Sequence, residues 1–339
     1  MTTDKDDLEP IEPGTAQELF LDHKATDCTD STVRNHRYRL NPFVRWCGEK
    51  GIDNLNDLTG RDLHEFKVWR AQDVNNVTLQ NQLGTIRQFL AFCERIDAVP
   101  GGVSGKVELP QLGMDEDVND TAITPEEAEA ILEYLDKYEY ATLRHLIFYT
   151  LWHTGIRTST LRAFDVTDFH PTEGYLKANN RESSGTPLKN RNRGEREINL
   201  EDSLVEVIDD WIHDQHPRVE DDQGRMPLAG TPHGRAHETT IRSHIYKITR
   251  PCHYTNKCPH SRDLSECEAV ASGKASLCPS SVSPHAIRKG SITYHRNKGW
   301  PAEAVSDRAD VSQEVLDKHY DKASESEKRE RRTEFLDKL

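Results

Sequence analysis

Apolar positions along this 339-residue chain recur mostly at helical spacing. Leu79, Leu83, Ile86 and Leu90 follow one another at steps of four, three and four, with Phe89 and Phe92 beside them. That spacing puts them on one face of a helix. Leu40, Val44 and Cys47 repeat the pattern earlier, although Pro42 lies inside the segment, and Leu58, Leu63, Phe66 and Trp69 mark a third stripe. Residues 14–98 therefore predict a domain of four or five short helices without clear strands. The polar, acidic residues 1–13 read as a disordered tail. Pro100, Gly101, Gly102, Pro110 and Gly113 interrupt the periodicity, so residues 99–121 read as a linker.

A second domain, residues 122–339, opens on a strong start signal. Thr124 suits the N-cap, Pro125 the first helical position, and Glu127 completes a capping box. Ile131, Leu132 and Leu135 supply that helix's apolar face, and a more apolar helix follows from Leu143 to His153. Between Tyr175 and Leu200 the signal changes to short stretches flanked by glycine and polar residues, predicting a small antiparallel hairpin or three-stranded sheet. Helical patterns return at Leu204–His213, Thr239–Ile248, His285–Lys298 and Pro301–Ala309. A charged tail helix then runs from Ser324 and ends in Phe335, Leu336 and Leu339. The expected class is mainly α with a small antiparallel β-sheet, in two domains.

Composition narrows the function. No run approaches the eighteen apolar residues of a membrane-spanning helix, and the N-terminus lacks an apolar signal region, so a soluble cytoplasmic protein is expected. The formal net charge of −14 argues against a nucleic-acid partner, which usually demands a basic footprint. The conflict disappears if acid is segregated from a basic face, or if the surface is adapted to high salt, as in a halophile. Acid is indeed local, at Asp4–Glu12, Asp115–Glu139 and Glu201–Asp222.

Four fragments carry candidate chemistry, and each has a bland reading. Thr154-Gly155-Ile156-Arg157 ends an apolar helix in an arginine. Leu188-Lys189-Asn190-Arg191-Asn192-Arg193-Gly194-Glu195-Arg196 is a basic turn within the sheet region. In Ser283-Pro284-His285-Ala286-Ile287-Arg288, His285 and Arg288 share a helical face. His319-Tyr320 stands just before the charged tail. Taken singly, these are surface arginines, a solvated turn, a core-edge histidine and a packing tyrosine.

Their order and spacing resemble the active site of tyrosine recombinases, the family of phage integrases, Cre and the Xer proteins. The resemblance covers the catalytic part, Ala122 to Leu339, and more loosely the helical N-terminal part, which looks like the family's core-binding domain. It implies that Arg157 and Arg288 clamp a scissile phosphate, Lys189 is the general acid, His285 the proton shuttle and Tyr320 the nucleophile. Arg191 and Lys177 lie in the same sheet region as Lys189. Two guanidiniums stabilise charge developing on the phosphate oxygens. A nearby base helps a phenol whose ordinary pKa is about 10. The product implied is a 3′-phosphotyrosyl link, with no cofactor for catalysis. The implied partners are double-stranded DNA held in a C-shaped clamp and other protomers in a tetramer on synapsed sites. The acid-rich surface adds a haloarchaeal or haloviral source to the expectation.

The chain departs from the family pattern in two places. Thr160 stands where an acid usually follows the first arginine, and Asp310 stands at the place of a second histidine or tryptophan. These departures keep open a catalytically weak, recombinase-derived DNA-binding protein, and a zinc-stabilised helical interaction protein remains a third reading. Arg34, Arg37, Arg39 and Arg87, together with Arg191, Arg193 and Arg196, are the candidate DNA contacts. Finally, Cys252, Cys258, Cys267 and Cys278 crowd into an insertion at residues 251–280, interleaved with His253 and His260. Such a set suits a structural zinc, although the tight Cys-x-x-Cys pair is missing.

Overall fold

The computed structural model describes residues 8–113, 116, 121–319, 326, 329 and 333, with side chains up to Leu316 in the last helix. The chain divides into two compact units, 1–119 and 120–339.

In the first unit the predicted stripes form four helices: α1 (Pro13–Ala25), α2 (Asp30–Lys50), α3 (Gly60–Ala71) and α4 (Asn76–Arg95). The stripe on α4 supplies Leu79, Leu83, Ile86, Phe89 and Leu90 to a core that also takes Phe20, Phe43, Trp46 and Phe66. Pro42 deprives α2 of one backbone donor, yet the helix runs through it. Two boundaries differ from expectation. Residues 8–12 are tied down, with the Glu9 amide donating to the Asp97 carbonyl at 2.9 Å and the Ile11 amide to Asn54 Oδ1 at 3.2 Å. The expected linker is part of this unit, because Val99, Val103 and Val107 are buried in its core. The glycines and prolines bend that segment without freeing it; its spaced valines are what anchor it.

The second unit begins with α5 (Pro125–Tyr138), whose Thr124–Glu127 capping box forms as its sequence implies. Next come α6 (Leu143–Thr154), α7 (Thr158–Ala163) and three strands, β1 (Phe169–His170), β2 (Tyr175–Ala178) and β3 (Arg196–Asn199). The strands form one antiparallel sheet in the order β1-β2-β3, with Leu176 opposite Ile198 and Ala178 opposite Arg196. Leu176, Ala178 and Ile198 face the core at alternate positions, as the period-two rule requires. Then follow α8 (Asp202–Asp210), which ends in a wider turn at Trp211–Gln215, the short strands β4 (Gly230–Thr231) and β5 (Gly234–Arg235), α9 (Glu238–Ile248) and α10 (Pro251–Thr255). The last helices are α11 (Pro284–Asn297), α12 (Ala302–Ala309) and α13 (Gln313–His319).

Helix α6 is central. Leu146, Ile147, Phe148 and Leu151 are buried with Ile241, Ile245 and Ile248 of α9 and Ile287 of α11. Helix α11 passes so close to the start of this unit that a Cβ at Gly290 would stand 2.3 Å from the Ile123 carbonyl, so only glycine fits there. Among the described residues, no helix is long and apolar enough to cross a membrane.

Candidate active site

Helix α6 stops at Gly155, which takes a left-handed conformation (φ 64°) as its C-cap. The fully buried Ile156 anchors the turn, and Arg157 becomes the N-cap residue of α7. On α11, Arg288 lies one turn beyond His285 and is 3% exposed. Its Nη1 donates to the Gly155 carbonyl at 2.6 Å and to the Ala309 carbonyl at 2.7 Å. One guanidinium thus joins α11, the α6–α7 turn and the end of α12, and it holds the residues preceding Asp310 and Arg157 within its reach.

Asp310 follows directly, at φ 53°, as the C-cap of α12. Its Oδ2 accepts from Arg157 Nη1 at 2.5 Å and its Oδ1 from Asn190 Nδ2 at 2.7 Å. Arg196 approaches from β3, donating through Nε to the Arg308 carbonyl at 2.9 Å and through Nη1 to the Gly194 carbonyl at 2.7 Å. Burial, together with the repulsion of Arg288 and Arg157 and against the attraction of Asp310, lowers the Arg196 pKa to about 10. Arg308 donates to the Asn199 carbonyl at 2.7 Å and lies over the Trp300 ring, so it ties α12 to β3. Three guanidiniums therefore converge around one carboxylate, where the ends of α6, α11 and α12 meet β3.

The other expected residues are placed less tightly. His285 is exposed on the first turn of α11 and lines a cleft of about 250 Å³ with Thr158, Glu238, Arg242 and Tyr246. Lys189 is exposed in the loop between β2 and β3, next to Asn190, and has no hydrogen bond or ion pair among the described residues. Lys177 is exposed on β2. Thr160 is buried in α7, its amide donating to the Arg157 carbonyl at 2.9 Å. Tyr320, Phe335 and Leu336 lie outside the described residues.

Among the candidate DNA contacts, Arg34 and Arg193 are exposed and Arg39 half-buried. Arg37 is engaged by Glu18, Arg87 donates to the Val107 carbonyl, and Arg191 pairs with Glu182. Arg196, a candidate DNA contact, lies beside Arg157, Asp310 and Arg288. Asn190 was not singled out by the sequence, because nothing in a polar turn marks a partner that lies far along the chain.

The cysteine-rich insertion does not assemble as a metal cage. Among the described residues, no group of three or more His, Cys, Asp or Glu side chains is arranged to hold a metal ion, and all seven cysteines are free. Burial raises the Cys252 thiol pKa, and neighbouring Cys278 and Cys258 push it further the same way. His253 is turned toward Glu139 at 3.2 Å with its ring tilted against Tyr134, while His260 bonds Ser280 at 2.9 Å. The donor set as placed, Cys267 included, does not fit a zinc ion, and no step below involves one.

Comparison with known proteins agrees with this architecture. Residues 18–96 match the family described as phage integrase, N-terminal SAM-like domain. The whole chain is similar in fold to the integrase of transposon Tn1549 solved in complex with transposon right end DNA (14% identity, TM-score 0.68), over 96% of this chain and 100% of that one. It is similar also to a lambda integrase dimer bound to a core site (12% identity, TM-score 0.59), over 95% of this chain and 78% of that one. The N-terminal domain of a phage integrase/site-specific recombinase from Haloarcula marismortui is 34% identical over 30% of this chain and 99% of that one, with a TM-score of 0.30. None of the curated proteins matches the sequence. Residues 18–96 are thus similar to the phage integrase N-terminal SAM-like domain, and the chain as a whole has a fold similar to that of these integrases.

Proposed function

We propose that this protein is a site-specific DNA recombinase of the tyrosine type, cutting and rejoining duplex DNA through a 3′-phosphotyrosyl intermediate. The observation that supports this best is the meeting of Arg157, Arg196 and Arg288 near the Asp310 carboxylate. A phosphodiester attacked by a phenol gains negative charge on its non-bridging oxygens, and fixed guanidiniums stabilise that charge without reorganising. In this scheme Arg157 and Arg288 hold the phosphate, and Tyr320 attacks it. His285, at the mouth of the neighbouring cleft, takes the phenol's proton. Lys189, unengaged on the adjoining loop, gives a proton to the leaving 5′-oxygen. The scheme requires no cofactor. Its partners are duplex DNA and further copies of the chain, up to a tetramer on paired sites.

A second reading, a DNA-binding protein with weak catalysis, is favoured by the Asp310 carboxylate on Arg157. The experiment that separates the two is covalent trapping on a nicked suicide substrate. The wild-type chain should form a protein–DNA adduct and Tyr320→Phe should form none. An adduct that survives Tyr320→Phe removes the assigned nucleophile, and wild-type DNA binding without an adduct leaves the second reading standing.

A further inference from the structure

Asp310 has the wrong sign for a phosphate site, yet it is built into one. Both its oxygens are engaged, on two different partners, and the ion pair is partly shielded: the Asp310 side chain is 13% exposed and that of Arg157 28%. Its left-handed backbone (φ 53°) is secured by its own amide donating to the Asp307 carbonyl at 3.2 Å and by Arg288 holding the preceding carbonyl. Arg157 spends only Nη1 on the carboxylate, and among the described residues its other donors make no hydrogen bond. Arg196 Nη2 is buried and has no hydrogen-bond partner among the described residues. Asp310 is thus paired with Arg157 and, together with Asp307, attracts Arg196.

We propose that Asp310 is the resident anion of this pocket: it holds Arg157 in the free protein, and a tetrahedral oxyanion of the phosphate or sulfate class gains that guanidinium by displacing it. The proposal rests on the recombinase reading only for why a DNA phosphate should come there; the exchange itself needs nothing beyond the pocket. Such a placeholder keeps like charges assembled in the absence of DNA. It also makes the pocket select for an anion strong enough to compete.

The test uses the full-length protein and inorganic sulfate, followed by calorimetric titration and by the thermal midpoint. Asp310→Asn retains an acceptor for Asn190 and removes the charge. It should bind sulfate about tenfold more tightly than wild type, the scale of a shielded charge pair. It should also melt lower than wild type without sulfate and regain that loss with it. Arg157→Gln/Asp310→Asn should lose the gain, which separates site binding from the general stabilising effect of sulfate. Asp310→Ser serves as a second variant: if either variant folds only with sulfate present, the idea is supported. Equal or weaker sulfate binding by both variants would overturn it, as would equally tight binding by the double variant or failure of both to fold even with sulfate. Adduct formation by wild type is scored separately. A sulfate exchange without an adduct refutes the recombinase reading alone, and an adduct without the exchange refutes the placeholder alone.

Discussion

Two arginine clusters in the second unit are built from similar parts and are balanced differently. Around β4 and β5, Arg235 pairs with Asp165 and, at 2.7 Å, with Asp221; Arg225 reaches the same two aspartates at 3.4 Å. Arg181 closes the set on Asp168 at 2.6 Å and Asp165 at 3.5 Å. Three arginines meet three aspartates there, and the Arg235 and Asp165 side chains are only 5% and 7% exposed. In the pocket, Asp310 pairs with Arg157, Asp310 and Asp307 attract Arg196, and much of the hydrogen bonding of Arg196 and Arg288 goes to backbone carbonyls. A buried network whose charges are matched within itself holds the fold. An unbalanced one leaves room for an anion from outside. Arginine richness therefore says little about function until the carboxylates are counted.

The sharpest way to break the comparison is to remove a guanidinium from each cluster. Arg288→Ala should abolish adduct formation, by about 10³-fold or more, because it removes a fixed donor from the developing charge. It should also destabilise the protein, since the Gly155 and Ala309 carbonyls lose their donor. Arg235→Ala should cost about 3–5 kcal/mol of stability, the usual price of orphaning buried carboxylates. Its rate of adduct formation per folded molecule should match wild type. Denaturant unfolding beside single-turnover trapping checks both. If Arg235→Ala loses activity at full stability, the division between holding and acting is wrong.

The balanced cluster was invisible in the sequence, and the unbalanced one was half visible. Arg157, His285 and Arg288 stood out through spacing and through the glycine and proline that end or open their helices. Helix stripes such as Leu79–Leu90 were legible because one periodic face must be buried. Asp310 could be located but not understood, because its partners Arg157 and Asn190 lie 153 and 120 residues away. Arg181, Arg225 and Arg235 sit in segments without periodicity, where an arginine reads as solvated until the fold supplies its aspartate. The insertion is the opposite case. Cysteine crowding is a property of sequence, whereas a metal cage needs side chains that point to one centre, and His253 and His260 point elsewhere.

A third way of burying a titratable group is to keep it neutral. His145 is fully buried, stacked on Tyr149, with Nδ1 accepting from the Ala141 amide at 3.3 Å. Burial lowers its pKa from 6.5 to about 4, and burial does the same to His244 and His295. The unfolded chain takes up protons near pH 6.5 that folded His145 refuses until about pH 4. Its contribution is thus complete above 6.5 and is lost as the pH falls through that window, by up to roughly 3 kcal/mol. His145→Phe should flatten this part of the stability–pH curve. Urea midpoints between pH 4 and 7 measure it.

The smallest effect is expected at Arg191, and it tests the comparison at its weakest point. Arg191 pairs with Glu182, but the two side chains are 55% and 49% exposed. Solvent screens such a pair, so Arg191→Gln should change stability by less than about 1 kcal/mol, and by less still in high salt. Arg191 also holds a left-handed backbone (φ 51°) in the loop that presents Asn190 to Asp310. Glutamine carries the same strain there, so the substitution isolates the charge. If this loop contacts DNA, Arg191→Gln should weaken duplex binding without altering sequence preference and should reduce the slope of log affinity against log salt by about one. A shallower slope at unchanged stability would make the loop a phosphate contact built from an exposed pair, distinct from both buried clusters. An unchanged slope would remove Arg191 from the phosphate contacts.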